Sequence, residues 1–224
     1  MKNLSNVDIH TFLSRCDRRF VEQRTMEYEG KTYAIPYSTV TIQDTKIKGL
    51  RENEKRLELY EKLINEHTTG RKSFLDVGCN LGVFVRYFSD MFEEVKGVDN
   101  EPYYNGQSRF LFHDIADSFV LNDINFVGLA DLLKEPFDVI TSNSMFEYIN
   151  DKHQFAKDLC SLTKELCIVE GHSEDIVLGH DVTYEAILRE QDWTVTRIEE
   201  VTDAGINAPQ RTQATGRPVW LCQK

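Results

Sequence analysis

The sequence predicts an α/β fold in which a mostly parallel sheet carries helices on both faces, and three observations lead there. The first is the run Phe74-Leu75-Asp76-Val77-Gly78-Cys79-Asn80-Leu81-Gly82-Val83-Phe84: a short apolar segment, an acid, a glycine-bearing turn, then helix-like apolar spacing. The second is Val95-Lys96-Gly97-Val98-Asp99, another short apolar run, ending in an acid seventeen residues beyond Gly82. The third is the recurrence of such runs at 124–127, 137–142 and 166–170, separated by amphipathic stretches, which is the strand–helix–strand rhythm of a parallel sheet.

A chain of 224 residues can bury a full α/β core and still carry an addition. The division expected is an N-terminal helix and hairpin extension over residues 1–50 and a main domain over 51–224. A net charge of −11 opposes general attraction to phosphate backbones, since that attraction comes from Lys and Arg releasing counterions, so nucleic acid is not an expected partner. The five cysteines are scattered and form no C-x-x-C pair, which points to neither a disulfide framework nor a zinc site. No ligand cluster suggests any other metal. The first residues lack a signal-peptide apolar core and no later run approaches a membrane span, so a cytoplasmic protein without membrane contact is expected. The sequence sets no oligomeric state.

Taken in order, Ser5-x-x-Asp8 opens a helix with Val7, Phe12, Leu13, Phe20 and Val21 inward, running to about residue 24. Residues 26–35 alternate around Glu29-Gly30-Lys31 as a small hairpin, which Pro36 ends. This extension is expected to cap the substrate mouth, with Tyr28, Tyr33 and Tyr37 either facing it or packing in the core. Residues 36–50 are turn-rich, and residues 52–66 form a helix with Leu57, Tyr60, Leu63 and Ile64 on one face.

The glycine loop comes next. Gly78 and Gly82 can take positive φ or let a ligand approach the backbone, and the following helix points free N–H groups at the same loop. A dinucleotide fingerprint G-x-G-x-x-G would fall on Gly78, Asn80 and Val83, one match in three. The chain has instead Asp76 followed by Gly78, Asn80 and Gly82, with an acid where a pyrophosphate would be repelled and a cationic ligand welcomed. Asp99 stands where nucleotide-binding βαβ units place the acid that accepts two hydrogen bonds from a ribose diol.

This segment resembles motif I of the class I S-adenosylmethionine (SAM) methyltransferases: an acid, then x-G-x-G-x-G, with Asn a familiar stand-in at the middle glycine. The resemblance covers residues from about 50 to the end. It implies a Rossmann-like, seven-stranded, mostly parallel sheet with an antiparallel last strand. It also implies SAM as cofactor, held by Asp76, Gly78, Cys79, Asn80, Gly82, Asp99 and Asn100. The donor's carboxylate wants a cation, and Arg51, at the end of the basic stretch Lys46-Ile47-Lys48-Gly49-Leu50-Arg51, offers a matching fork.

Beyond Asp99, residues 107–121 read as a helix and 124–127 as the third strand. The loop after that strand cradles adenine in the family, which places Leu129 and Ala130 on the ring. Phe137-Asp138-Val139-Ile140 with Asn143 and Glu147 resembles the family's fourth-strand motif, with Tyr148 in place of its frequent His; Asn143 joins the cofactor set and Glu147 the catalytic one. The D/N-P-P-Y/F tetrapeptide of amino-methylating enzymes on bases is absent. A helix at 151–163 leads to the fifth strand, 166–170, and then His172, the best candidate for a base because its ordinary pKa lies near neutrality. His113 reads as structural. A helix ending near residue 189, a strand over 193–201, a loop over 202–216 carrying Arg211, and a strand from Arg217 complete the chain.

The function expected is methyl transfer from SAM to an oxygen or nitrogen of a small-molecule acceptor. The rivals are methylation of a phosphate or RNA end, which needs a basic groove; a nicotinamide oxidoreductase; and a non-catalytic SAM-binding module.

Overall fold

The computed structural model describes residues 6–16, 24–198 and 217–224. Asp8 begins the first helix, α1 (Ile9–Ser14), by accepting from the Thr11 backbone N–H at 2.7 Å. Its expected continuation through Phe20 and Val21 lies outside the described residues. Strands β1 (Thr25–Tyr28) and β2 (Lys31–Ala34) form the hairpin expected there. Its two turn residues, Glu29 and Gly30, both have positive φ, the twist that a two-residue hairpin turn favours. A second hairpin pairs β3 (Val40–Ile42) with β4 (Thr45–Ile47) through Gln43 and Asp44, again both at positive φ.

The helix α2 (Glu54–His67) buries Leu57, Tyr60, Leu63 and Ile64, the stripe that its 3.6-residue period sets. Then come β5 (Ser73–Val77), α3 (Val83–Phe88), β6 (Glu94–Asp99), α4 (Pro102–Leu111), β7 (Phe119–Leu121), α5 (Leu129–Leu132) and β8 (Phe137–Asn143). The chain continues through α6 (Lys152–Leu162), β9 (Thr163–Glu170), α7 (Ser173–Leu178), α8 (His180–Arg189), β10 (Thr194–Ile198) and β11 (Val219–Gln223). The sheet order is β10-β11-β9-β8-β5-β6-β7, with β5 to β9 parallel and β11 antiparallel to both its neighbours.

Side chains alternate across this sheet and split the core in two. Phe74, Val139, Leu166 and Ile168 face α2, α3 and α4, whereas Leu75, Ile140, Cys167 and Val169 face α6 and α8. The N-terminal elements belong to the first layer: Ile9, Phe12, Leu13, Val40, Ile42 and Ile47 are buried in the same cluster as Leu57, Phe74 and Val85.

One strand is displaced from its expected place. The third strand is Phe119–Leu121 rather than residues 124–127, and α4 ends at Leu111 with a 3-10 turn from His113 to Ser118 between. The apolar look of Ile124-Asn125-Phe126-Val127 misleads: Phe126 is 88% exposed. The segment is held as a loop by Asn125, whose amide donates to the Tyr148 carbonyl at 3.1 Å and accepts from the Asn150 N–H at 2.9 Å. Residues 199–216, including Arg211, lie outside the described residues, and α7 was not foreseen.

Candidate active site

Strand β5 has β6 on one side and β8 on the other, so the chain reverses its direction of travel through the sheet there. A parallel sheet opens a crevice at the carboxyl ends of the strands at such a point. The crevice is a cavity of about 400 Å³. Of the residues expected from sequence, it brings together Arg51, Asp76, Gly78, Cys79, Asn80, Asp99, Asn100, Asn143 and His172. Among the described residues, no group of three His, Cys, Asp or Glu is arranged to hold a metal, and no helix is long and apolar enough to cross a membrane.

The loop between β5 and α3 is shaped by backbone that few residues adopt. Gly78, Asn80 and Gly82 all have positive φ. A Cβ at Gly78 would meet the Met145 thioether at 2.2 Å, and one at Gly82 would meet the Phe119 ring at 2.3 Å. Gly82 is thus fixed by packing at the start of α3, set back from the cavity lining. The Asp99 carboxylate spans the loop, accepting from the Asn80 N–H at 2.8 Å and the Glu101 N–H at 2.9 Å.

Asp76 is only 2% exposed, and one carboxylate oxygen accepts from the Thr141 hydroxyl at 2.7 Å and the Asn143 amide at 3.3 Å. Burial pushes its pKa up to about 7, against the Thr141 hydrogen bond and with help from the charge of Asp99. Burial likewise raises Asp99, against the backbone donors of its loop. The Cys79 thiol is raised well above its ordinary value by burial and by both acids, so it is not a nucleophile.

A buried cluster of arginines adjoins these acids. Glu170, 1% exposed at the end of β9, pairs with Arg56 at 3.0 Å and Arg217 at 3.1 Å, and Arg217 also bonds the Ser144 hydroxyl. Tyr60 donates to Asn143 at 2.7 Å and so joins this network to Asp76. Arg51 lies 4.9 Å over the Tyr37 ring. His172 caps α7 through its backbone, and its Nε2 is 2.8 Å from Glu147, an ion-pair separation without hydrogen-bond alignment. Burial and the charge of Arg217 lower the His172 pKa below the usual imidazole value, with Glu147 opposing them. Glu147 itself does not line the cavity.

The structure corrects the placement of Leu129 and Ala130. Neither lines the main cavity; both border a second hollow of about 380 Å³, and Leu129 is part of the core. With β7 ending at Leu121, the loop that reaches the cavity is Asn122, Asp123, Ile124 and Asn125. The signal was present in the sequence as the apolar triplet Phe119-Val120-Leu121 followed by the polar pair Asn122-Asp123. Tyr37, Arg56, Tyr104 and Met145 also line the cavity and were not foreseen as site residues; Tyr37 was foreseen only as part of a cap.

A family model described as a methyltransferase domain matches residues 51–202. No curated protein matches the chain by sequence. Among solved structures, an S-adenosylmethionine-dependent methyltransferase from Clostridium acetobutylicum is similar at a TM-score of 0.61 and 12% identity, covering 76% of this chain and 91% of that one. The N-methyltransferase NodS from Bradyrhizobium japonicum is similar at 0.59 and 14%, covering 77% and 96%. WbdD is similar at 0.59 and 20%, covering 79% of this chain and 41% of its own. At these identities the likeness is one of fold. The family match takes in Asp76, the glycine loop, Asp99 and the cavity end of β8, and on it the chain belongs to the methyltransferase-domain family, as an enzyme of the class I, SAM-dependent type.

Proposed function

We propose that this cavity binds SAM and directs its methyl group to an oxygen or nitrogen of a small-molecule acceptor. The observation that carries the reading is the pair of inward-drawn carboxylates, Asp76 and Asp99, on either side of a loop bent through positive φ at Gly78, Asn80 and Gly82. The donor set fits the ligand. The carboxylates of the lining suit a sulfonium, an ammonium and a ribose diol, and its guanidiniums suit a carboxylate.

In this reading Asp99 and Asn100 take the ribose, and Gly78, Cys79 and Asn80 present backbone to the nucleoside. Asp76 and Asn143 face the cationic end. Asp123 and Ile124 take the adenine role that sequence had given to Leu129 and Ala130. Two guanidiniums line the wall where the donor's carboxylate would lie: Arg51, as the sequence suggests, and Arg56, whose charge reaches Asp76.

When bound, SAM supplies a methyl carbon made electrophilic by its sulfonium. The chain's own part is to hold an acceptor lone pair in line with that carbon, which can supply about 7–11 kcal/mol of the barrier. His172, kept neutral by its depressed pKa, accepts the proton from the acceptor's O–H or N–H, and Glu147 at 2.8 Å stabilises the imidazolium that results. The overall charge of −11 favours a small acceptor over a nucleic-acid end.

Calorimetry on the purified protein tests the donor reading directly. SAM and S-adenosylhomocysteine are expected to bind in the micromolar range or tighter and NAD not to bind; heat with NAD alone would overturn it.

A further inference from the structure

Acids and guanidiniums share the cavity lining: Asp76, Asp99, Glu101 and Asp123 of the one kind, Arg51 and Arg56 of the other. Arg56 shares Glu170 with Arg217. Among the described residues no carboxylate lies within ion-pair distance of Arg51, which rests instead against the Tyr37 ring.

Arg51 is placed there by the backbone. Its N–H donates to the Tyr37 carbonyl at 2.9 Å, and its own carbonyl accepts from the Thr39 N–H at 2.8 Å. The approach of these two segments depends on Gly49, where a Cβ would sit 2.2 Å from the Ser38 carbonyl carbon. Lining the cavity near Arg51 are Tyr37, under its guanidinium, and Tyr148 and His172, which feel its charge. Tyr148 stacks edge-on against His172 with ring centres 6.2 Å apart. Its phenol is pushed up to about 12 by burial and by Glu147, so it carries no charge near neutrality. His172 is neutral as well, and Glu147 is turned to it. Arg51 is therefore a partly buried guanidinium that feels two further guanidiniums, Arg56 and Arg217, and also Glu170, a carboxylate those two already share.

We infer that Arg51, with Tyr37, Tyr148 and His172 around it, seats an oxyanion of the methyl acceptor, a carboxylate or phosphate group, and thereby presents the acceptor's nucleophilic atom to His172. The inference rests on the SAM reading of the same cavity and assigns the donor's carboxylate to Arg56, the guanidinium whose charge reaches Asp76. The charge of Arg51 is felt at His172 and Tyr148. An arginine fork meets two oxygens of either oxyanion at once, which fixes orientation as well as position.

The test uses the full chain saturated with S-adenosylhomocysteine and titrated with inorganic phosphate or with acetate at constant ionic strength. Saturable binding of either is expected, weakened about tenfold or more in Arg51→Gln and partly kept in Arg51→Lys, which retains the charge. Preference for phosphate or for acetate identifies the acceptor's group. Binding of neither to the wild type would overturn the inference. So would a loss of about tenfold in S-adenosylhomocysteine affinity in Arg51→Gln while 5′-methylthioadenosine, which lacks the carboxylate, binds as before, because Arg51 would then belong to the donor. Failure of wild type to bind S-adenosylhomocysteine at all would instead sink the SAM reading beneath it. Circular dichroism of both variants separates loss of binding from loss of fold.

Discussion

In the proposed role, Asp76 would bind a cation best in the form that its surroundings favour least. Its folded pKa near 7 lies above the ordinary 3.8, so between those values the folded state holds a proton that the unfolded state has lost. The contribution of this group to stability is full below about pH 4 and is lost as pH rises through about 7, while affinity for a sulfonium rises over the same window. Asp76→Asn removes the conflict without removing the hydrogen-bond acceptor that Thr141 and Asn143 use. Near pH 8 the variant is expected to melt higher, by on the order of 1–3 kcal/mol, and to bind SAM about 10- to 100-fold more weakly. Thermal melts and calorimetry on one preparation check both signs, and a variant that is weaker in both respects would show that Asp76 is held for structure alone. For His172 the depressed pKa predicts a turnover number that climbs with pH and levels off below about 6.5. His172→Gln should cut turnover about 100-fold or more and flatten that limb while leaving S-adenosylhomocysteine affinity in place. Asp76, Asp99 and His172 were legible because each lies in or just after a recognisable apolar strand. Tyr60, Arg56 and Glu170 were not, since Tyr60 and Glu170 meet across 110 positions of chain and nothing local marks them as partners.

Among the elements, strands were legible where an apolar run was long enough to be buried on both faces, as in β5, β8 and β9. The three-residue β7 was not, because Phe119-Val120-Leu121 reads on from the amphipathic run before it as one helix, and burial depends on neighbours that the pattern does not contain. That one displacement put the expected adenine contact on Leu129 and Ala130, which lie outside the main cavity, rather than on the loop from Asn122 to Asn125 that lines it. The β3–β4 hairpin was hidden for a related reason: Gln43 and Asp44 take the positive φ that a glycine would have announced. The joint between α2 and β9 was equally silent. Arg56 leaves the first turns of α2 and Arg217 precedes β11, and both charges are neutralised in part by Glu170 at the end of β9. Glu170→Ala would strand two buried guanidiniums and is expected to destabilise the protein by about 3–5 kcal/mol, read as a lower denaturation midpoint. Double replacement of Glu170 and Arg56 by Gln and Met should recover much of that loss, since charge burial rather than packing is then the cause. No recovery in the double variant would point to packing.

The whole molecule matches the mostly parallel seven-stranded sheet with an antiparallel last strand that the family resemblance implies, with β7 alone displaced from its expected place. Its N-terminal boundary is less plain. A helix, a hairpin and a basic stretch read as an extension laid over the mouth, and Tyr37 and Ser38 do line the cavity. Yet Tyr28 and Tyr33 pack toward the core, and Ile9, Phe12, Leu13, Val40, Ile42 and Ile47 lie within it. At about 1.5–3 kcal/mol for each fully buried apolar side chain, these six contribute on the order of 10 kcal/mol. That is comparable with the whole margin of a typical domain, about 5–15 kcal/mol. Removal of residues 1–48 would strip these six side chains from the core cluster that holds Leu57 and Phe74 and take away the backbone that holds Arg51 against Tyr37. The truncated chain is therefore expected to lose its cooperative melt and its S-adenosylhomocysteine binding together. A detachable cap predicts something else: a sharp melt and donor binding within about threefold of the full chain, with turnover alone abolished. Circular dichroism against temperature, followed by calorimetry with S-adenosylhomocysteine, distinguishes the two, and a retained melt with retained binding would place residues 1–48 outside the folding unit.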